Sequence, residues 1–234
     1  MSSMKKIITL LIIITVIASC QEKKKDSDIS DGFEKSFKEQ KDQRTLPEDT
    51  EHFDTLRNIY ANFKYRVAFD GPNDWASDAG VSEHTIFRTY QADSAITFSI
   101  NVIEIQDFKN SKSRPDIWEL YQANKDKMDY PYKEIIPKQF KSEVKNFVAK
   151  KSYIKNQLSL KRSFSYMVRE LDSEYSNTSI VYQTYLDKFT YTFNLDVPTM
   201  FYSQNPEYFE NLFLNVYFLL NKEDINKFMN QKSK

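Results

Sequence analysis

The 234-residue sequence predicts an α+β fold, an antiparallel β-sheet flanked by helices. Stretches that alternate apolar and polar side chains follow one another closely enough to be joined as hairpins, which is how antiparallel strands connect. Two other segments, after Pro115 and after Pro206, repeat apolar residues at helical spacing. The 18 Phe, 15 Tyr and 2 Trp furnish a core for such layers, since each buried ring removes roughly 150–250 Å² from water.

The chain opens with MSSMKKIITLLIIITVIASC, in which Lys5 and Lys6 precede a mostly apolar run from Ile7 to Ala18. That run is shorter than the about 20 residues a membrane-spanning helix needs, so it reads as a secretory signal. Its end, Ile17-Ala18-Ser19-Cys20, resembles the lipobox of bacterial lipoproteins, and Cys20 is the only cysteine of the chain. The resemblance implies cleavage before Cys20, so that residues 1–19 are a lipoprotein signal peptide. It further implies a diacylglycerol on the Cys20 Sγ and anchoring of the chain to a bilayer by two or more acyl chains.

Residues 20–52 read as the lipidated cysteine followed by a charged tether. Between 21 and 52 there are 7 basic and 10 acidic side chains and too few apolar ones to offset the entropy of ordering. A flexible segment of this length reaches roughly 30 Å. His52 falls at its end, which argues against a catalytic use. Residues 53–234 are of a size for one domain.

Within that domain, Thr55–Tyr60 reads as a short strand or a helical turn, punctuated by Ala61-Asn62. Phe63, Tyr65, Val67 and Phe69 alternate as a half-buried strand does, and Asp70-Gly71-Pro72-Asn73-Asp74 is a turn by composition. Segments 84–91 and 95–105 form a hairpin around Ala92-Asp93-Ser94. Ser113 to Asp116 opens a helix that carries Ile117, Leu120, Tyr121 and Met128 on one face and stops at Pro131. Residues 138–149 read as a short helix or a loop. Leu158–Glu170 alternates again, 172–178 is a turn, and 180–193 supplies one or two strands. Asn205-Pro206 then starts a helix with an apolar stripe from Phe209 to Leu220.

Tyr60-x-Asn62-x-x-Tyr65, followed by a β-pattern into Pro72 and then Trp75, resembles the opening of PsbP-like domains, which include DcrB-like bacterial lipoproteins. The order of elements through a closing helix at 205–220 is similar to that family's over about residues 55–222. The resemblance implies an α/β/α sandwich and roles in binding and assembly rather than catalysis. It carries over no functional residue, and the lysine-rich 133–162 departs from the family's pattern.

Composition excludes several chemistries. Three Gly cannot build a dinucleotide or Walker-type phosphate loop, and one Cys with two His cannot by themselves build a structural zinc site. Near-neutral charge argues against a nucleic-acid partner. No G-x-S-x-G elbow accompanies His84. His84 with Asp74, Asp78 and Glu83 offers ligands to a divalent ion, but reads more simply as a polar loop ending at a strand. Glu170, Asp172 and Glu174 read as a solvated hairpin tip rather than a glycosidase pair. Residues 133–162 carry nine basic side chains against two Glu. Tyr130-Pro131-Tyr132 and Met200-Phe201-Tyr202 are candidates for a recognition cleft.

The expectation is therefore a non-catalytic lipoprotein of the cell envelope, without cofactor or metal. It is anchored through acylated Cys20, and its domain binds or helps assemble another envelope protein or peptide. The competing expectations are an envelope hydrolase with an unrecognised site and a small-ligand or metal-binding lipoprotein.

Overall fold

A computed structural model describes residues 51–105, 115–170 and 173–232. The expected signal, Cys20, the tether up to residue 50 and Asp172 lie outside them. The described residues form an α+β fold in which every strand pairing is antiparallel. The β-structure is divided into two sheets packed face to face, with helices on their outer faces.

The smaller sheet runs β1 (Glu51–Asp54), β2 (Ile59–Asn62), β3 (Val67–Asp70) and β11 (Val216–Phe218). The larger is ordered β4 (Ala76–Ala79), β5 (Thr85–Gln91), β6 (Ile96–Glu104), β10 (Phe189–Pro198), β9 (Ser173–Leu186), β8 (Gln157–Glu170) and β7 (Lys145–Ile154). Strand alternation turns Tyr60, Val67 and Phe69 of the small sheet toward Phe87, Phe98, Ile100 and Phe193 of the large one. Phe69 stacks on Phe98 at 4.5 Å between centroids and Tyr60 on Phe87 at 4.6 Å. The opposite face of the small sheet, Ile59, Ala61 and Ala68, is covered by α5 (Lys222–Lys232) through Phe228.

Helix α1 (Ile117–Tyr130) starts at a capping box: the Glu119 backbone N donates to Asp116 Oδ1 at 2.8 Å and the Asp116 N to Glu119 Oε2 at 3.3 Å. Its apolar face, Ile117, Tyr121 and Met128, lies on Leu160 of β8. The α-helix ends at Tyr130 as expected, with Pro131 as its C-cap. The chain stays helical through a π-helical turn (Pro131–Ile135) into α2 (Ile136–Phe140), because proline at the first position of a new helical segment has no hydrogen bond to lose.

Other expectations shift. Ala61 and Asn62 belong to β2, while Phe63 and Tyr65 form the turn after it, held by Tyr65 N donating to Asn62 Oδ1 at 2.9 Å. The segment 138–149 ends α2 and begins β7, an edge strand whose exposed positions left no apolar alternation to read. The expected 172–178 turn is shorter, since Ser173 already starts β9. The helix expected from Asn205 to Leu220 is broken into α4 (Pro206–Asn211), a 3₁₀ turn (Leu212–Asn215) and β11. Its stripe serves two partners: Phe209, Leu212 and Phe213 fill the core between the sheets, and Val216 pairs with Phe69 on the β3 edge. A short α3 (Thr199–Gln204), absent from the sequence reading, precedes it.

Candidate functional site

The Thr55–Asn58 turn, the end of β3 and the α4–3₁₀ segment enclose an open groove of about 630 Å³. Its floor is apolar at Ile59, Pro72 and Leu212, while Arg57, Asp70, Asn73, Asn211 and Asn215 supply polar walls. Asparagine amides both donate and accept, so three of them in one groove match the alternating donors and acceptors of a peptide backbone. Tyr208 of the lining is exposed, as are Leu56 (89%) and Leu214, which adjoin the lining residues Arg57 and Asn215 in sequence.

Local chemistry builds this shape. Asp54 Oδ1 accepts from Leu56 N and Arg57 N, both at 3.1 Å, which closes the first turn and holds Leu56 outward. Asn58 then adopts a left-handed φ of 52°, a conformation asparagine tolerates. Its buried Nδ2 donates to Pro72 O at 2.7 Å and Thr89 Oγ1 at 2.8 Å, tying the turn to the second wall and to the large sheet. Gly71 N donates to Asn58 O at 2.9 Å. A Cβ on Gly71 would lie 2.4 Å from Asn58 Nδ2, so the close approach requires glycine. Burial pushes the Tyr208 hydroxyl above the ordinary tyrosine range, and the nearby Asp74 carboxylate adds to the shift.

Three polar clusters lie elsewhere. Under α1, Asp129 meets Arg162, with Tyr121 OH donating to Asp129 Oδ2 at 3.0 Å. Between the large sheet and α4, Glu210 pairs with Lys161 and accepts from Tyr202 OH at 3.1 Å and Tyr182 OH at 3.4 Å. On the other face of that sheet, Asp196 accepts from Ser179 Oγ and from Tyr166 OH. Burial raises the Asp196 carboxyl, and its two hydroxyl donors pull the other way. These clusters tie helix to sheet or strand to strand.

The residues singled out in the sequence do not converge. His52 is in β1, paired in register with Ala61. His84 directly precedes β5, and its carbonyl accepts from Val102 N at 2.8 Å. Asp78 is bound to Arg88 at 2.8 Å, whereas Asp74 stands beside Tyr208. Among the described residues, no three His, Cys, Asp or Glu are grouped to hold a metal ion, and no helix is long and apolar enough to cross a membrane. Glu174 pairs with Arg169 across the β8–β9 hairpin at 2.9 Å. Tyr132 packs on Phe164 beneath α1, while Tyr202 lies against Phe209 and Glu210, so the two aromatic clusters belong to opposite faces of the large sheet. The groove residues escaped notice because Asp70–Asn73 read as a turn and Tyr208, Asn211, Leu212 and Asn215 as parts of one continuous helix. No local signal joins them: of the lining asparagines Asn73, Asn211 and Asn215, Asn73 alone adjoins a proline.

No family model matches the chain, and no curated protein matches it. Among solved structures it is similar to a cyanobacterial PsbP (CyanoP) from Synechocystis, at 14% identity and a TM-score of 0.45, over 72% of this chain and 91% of that one. It is also similar to a crystal structure from Bacteroides thetaiotaomicron, at 14% identity and a TM-score of 0.41. There the match covers 65% of this chain and 45% of the other. Both likenesses concern the fold alone.

Proposed function

We propose that this protein is a lipid-anchored lipoprotein of the bacterial cell envelope whose domain holds an extended segment of another envelope protein in the Arg57–Asn215 groove. The observation that carries the reading is the groove itself, with asparagine amides and an exposed Tyr208 in its lining and exposed Leu56 and Leu214 next in sequence to lining residues. Amides engage a strand's backbone, and the rim takes alternate apolar side chains. The anchor rests on the sequence ending in Cys20. No bond is made or broken in this role, and no cofactor takes part.

The test is a photo-crosslinking amino acid at Asn211, in the intact protein within its own envelope, beside the same residue at Lys125 on the outer side of α1. A discrete protein adduct from Asn211 alone is expected. Adducts from neither position, or the same adducts from both, would overturn the assignment.

A further inference from the structure

Among the described residues the large sheet ends at β7, which pairs only with β8. Residues 141–155 contain five lysines, one glutamate and no arginine. Lys141, Lys145, Lys150 and Lys151 are exposed, and among the described residues none of the four has a carboxylate within ion-pairing distance. Lys138, on the adjoining α2, adds a fifth exposed ammonium, held only loosely by Glu134 at 3.6 Å.

Lysine on an edge strand commonly discourages pairing with another chain. Two features here exceed that purpose. Lys150 stands directly opposite Lys161 in register, and like charges across a strand pair are unfavourable. Glu210 takes up the Lys161 charge and leaves that of Lys150 outward. Moreover, Val148 and Tyr153 remain 51% and 56% exposed among the lysines, which an edge shielded only against aggregation would not retain.

We propose that the β7 edge docks on an anionic phospholipid surface, its lysines on headgroup phosphates and Val148 and Tyr153 at headgroup depth. Tyrosine ranks among the residues favoured at that depth, and lysine stems lie along apolar surface while the ammonium reaches outward. The charges are spread along the strand instead of converging on a point, which suits a plane of headgroups. An acidic protein partner would favour the arginine fork, and this edge has none. The contact does not depend on the acyl anchor. Phe53 of β1 packs on Phe87 of β5 at 5.9 Å, so β1 lies toward the other end of the large sheet. Five strand spacings, roughly 24 Å, separate β5 from β7.

The test uses residues 20–234 carrying Cys20→Ser, so that no acyl group contributes, sedimented with vesicles of phosphatidylcholine alone or mixed with phosphatidylglycerol. Binding to the anionic vesicles only, weakening with salt, is expected. Lys145→Gln/Lys150→Gln/Lys151→Gln lowers the partition coefficient about a hundredfold, at about fivefold per lysine. The same three positions changed to Arg retain binding, and Lys64→Gln/Lys125→Gln/Lys227→Gln leaves it within a few-fold. Matched circular dichroism melts establish that the variants are folded. Equal losses from both glutamine triples, equal binding to neutral vesicles, or capture of poly-glutamate without vesicle binding would each overturn the proposal.

Discussion

Arg162 of β8 and Asp129 of α1 form an ion pair at 3.3 Å with side chains only 1% and 0% exposed. The guanidinium also donates to Met128 O at 3.3 Å and Gln183 Oε1 at 3.1 Å, and it lies 4.8 Å from the Tyr132 ring centroid. One arginine thus joins the end of α1, the π-helical turn and two strands. Lys133 Nζ also lies 3.3 Å from Asp129 Oδ2, so losing Arg162 leaves Asp129 one cation, whereas losing Asp129 leaves the buried guanidinium with no carboxylate among its hydrogen-bond partners. Asp129→Leu is expected to cost about 3–5 kcal/mol, whereas Asp129→Leu/Arg162→Met lies much nearer the wild type, because the desolvation of both charges is relieved together. Urea denaturation of the two variants decides this, and equal losses would refute it.

Alkaline pH is expected to unfold the domain through its tyrosines. Tyr121, Tyr182 and Tyr202 are each pushed up to about 12, first by burial and then by the carboxylate of Asp129 or Glu210. In the unfolded chain these phenols ionise near ~10. The folded state therefore holds more protons between those values, and stability that is fully present below pH ~10 falls as pH rises through the folded value. Near-ultraviolet tyrosinate absorbance is expected to show a fraction that appears only as circular dichroism is lost. Full ionisation with the fold intact would contradict it.

Gly71→Ala is expected to destabilise by about 1–3 kcal/mol, the cost of a buried polar group losing its partner. The added Cβ meets Asn58 Nδ2 at 2.4 Å and Cγ at 2.7 Å, so the asparagine must leave Pro72 and Thr89. A melt unchanged from wild type would show that the turn relaxes without cost.

Leu56→Ser and Leu214→Ser change exposed positions that adjoin the lining residues Arg57 and Asn215 and that the proposed function places on the rim. Stability within about 0.5 kcal/mol of wild type is expected, together with loss of the adduct formed from Asn211. Retention of that adduct in the double variant would remove the rim from the binding surface.

Cys20→Ser is expected to move the protein from the detergent phase to the aqueous phase on phase separation of cell extracts, since two or more acyl chains make anchoring stable. A variant that still partitions with detergent would place the anchor elsewhere.

Local pattern was sufficient for several elements. The hairpin around Ala92–Ser94, the start of α1 at Asp116 and the long strand ending at Glu170 all follow from side chains adjacent in sequence. The α+β class and its antiparallel pairing follow from the same short-range alternation. Where a segment had two possible partners, pattern failed. Phe209 to Leu220 has helical spacing, yet Val216 gains more by completing the β3 edge, a competition visible only once β3 is in place. The groove was illegible for the same reason. Arg57, Asp70 and Asn215 come from three distant segments, brought together by the packing of one sheet on another and by the Asn58 side chain that joins the turns. Periodicity along a chain reports which side of an element is buried. Which residues meet across the space between elements is decided by long-range burial, and here that includes every residue of the groove.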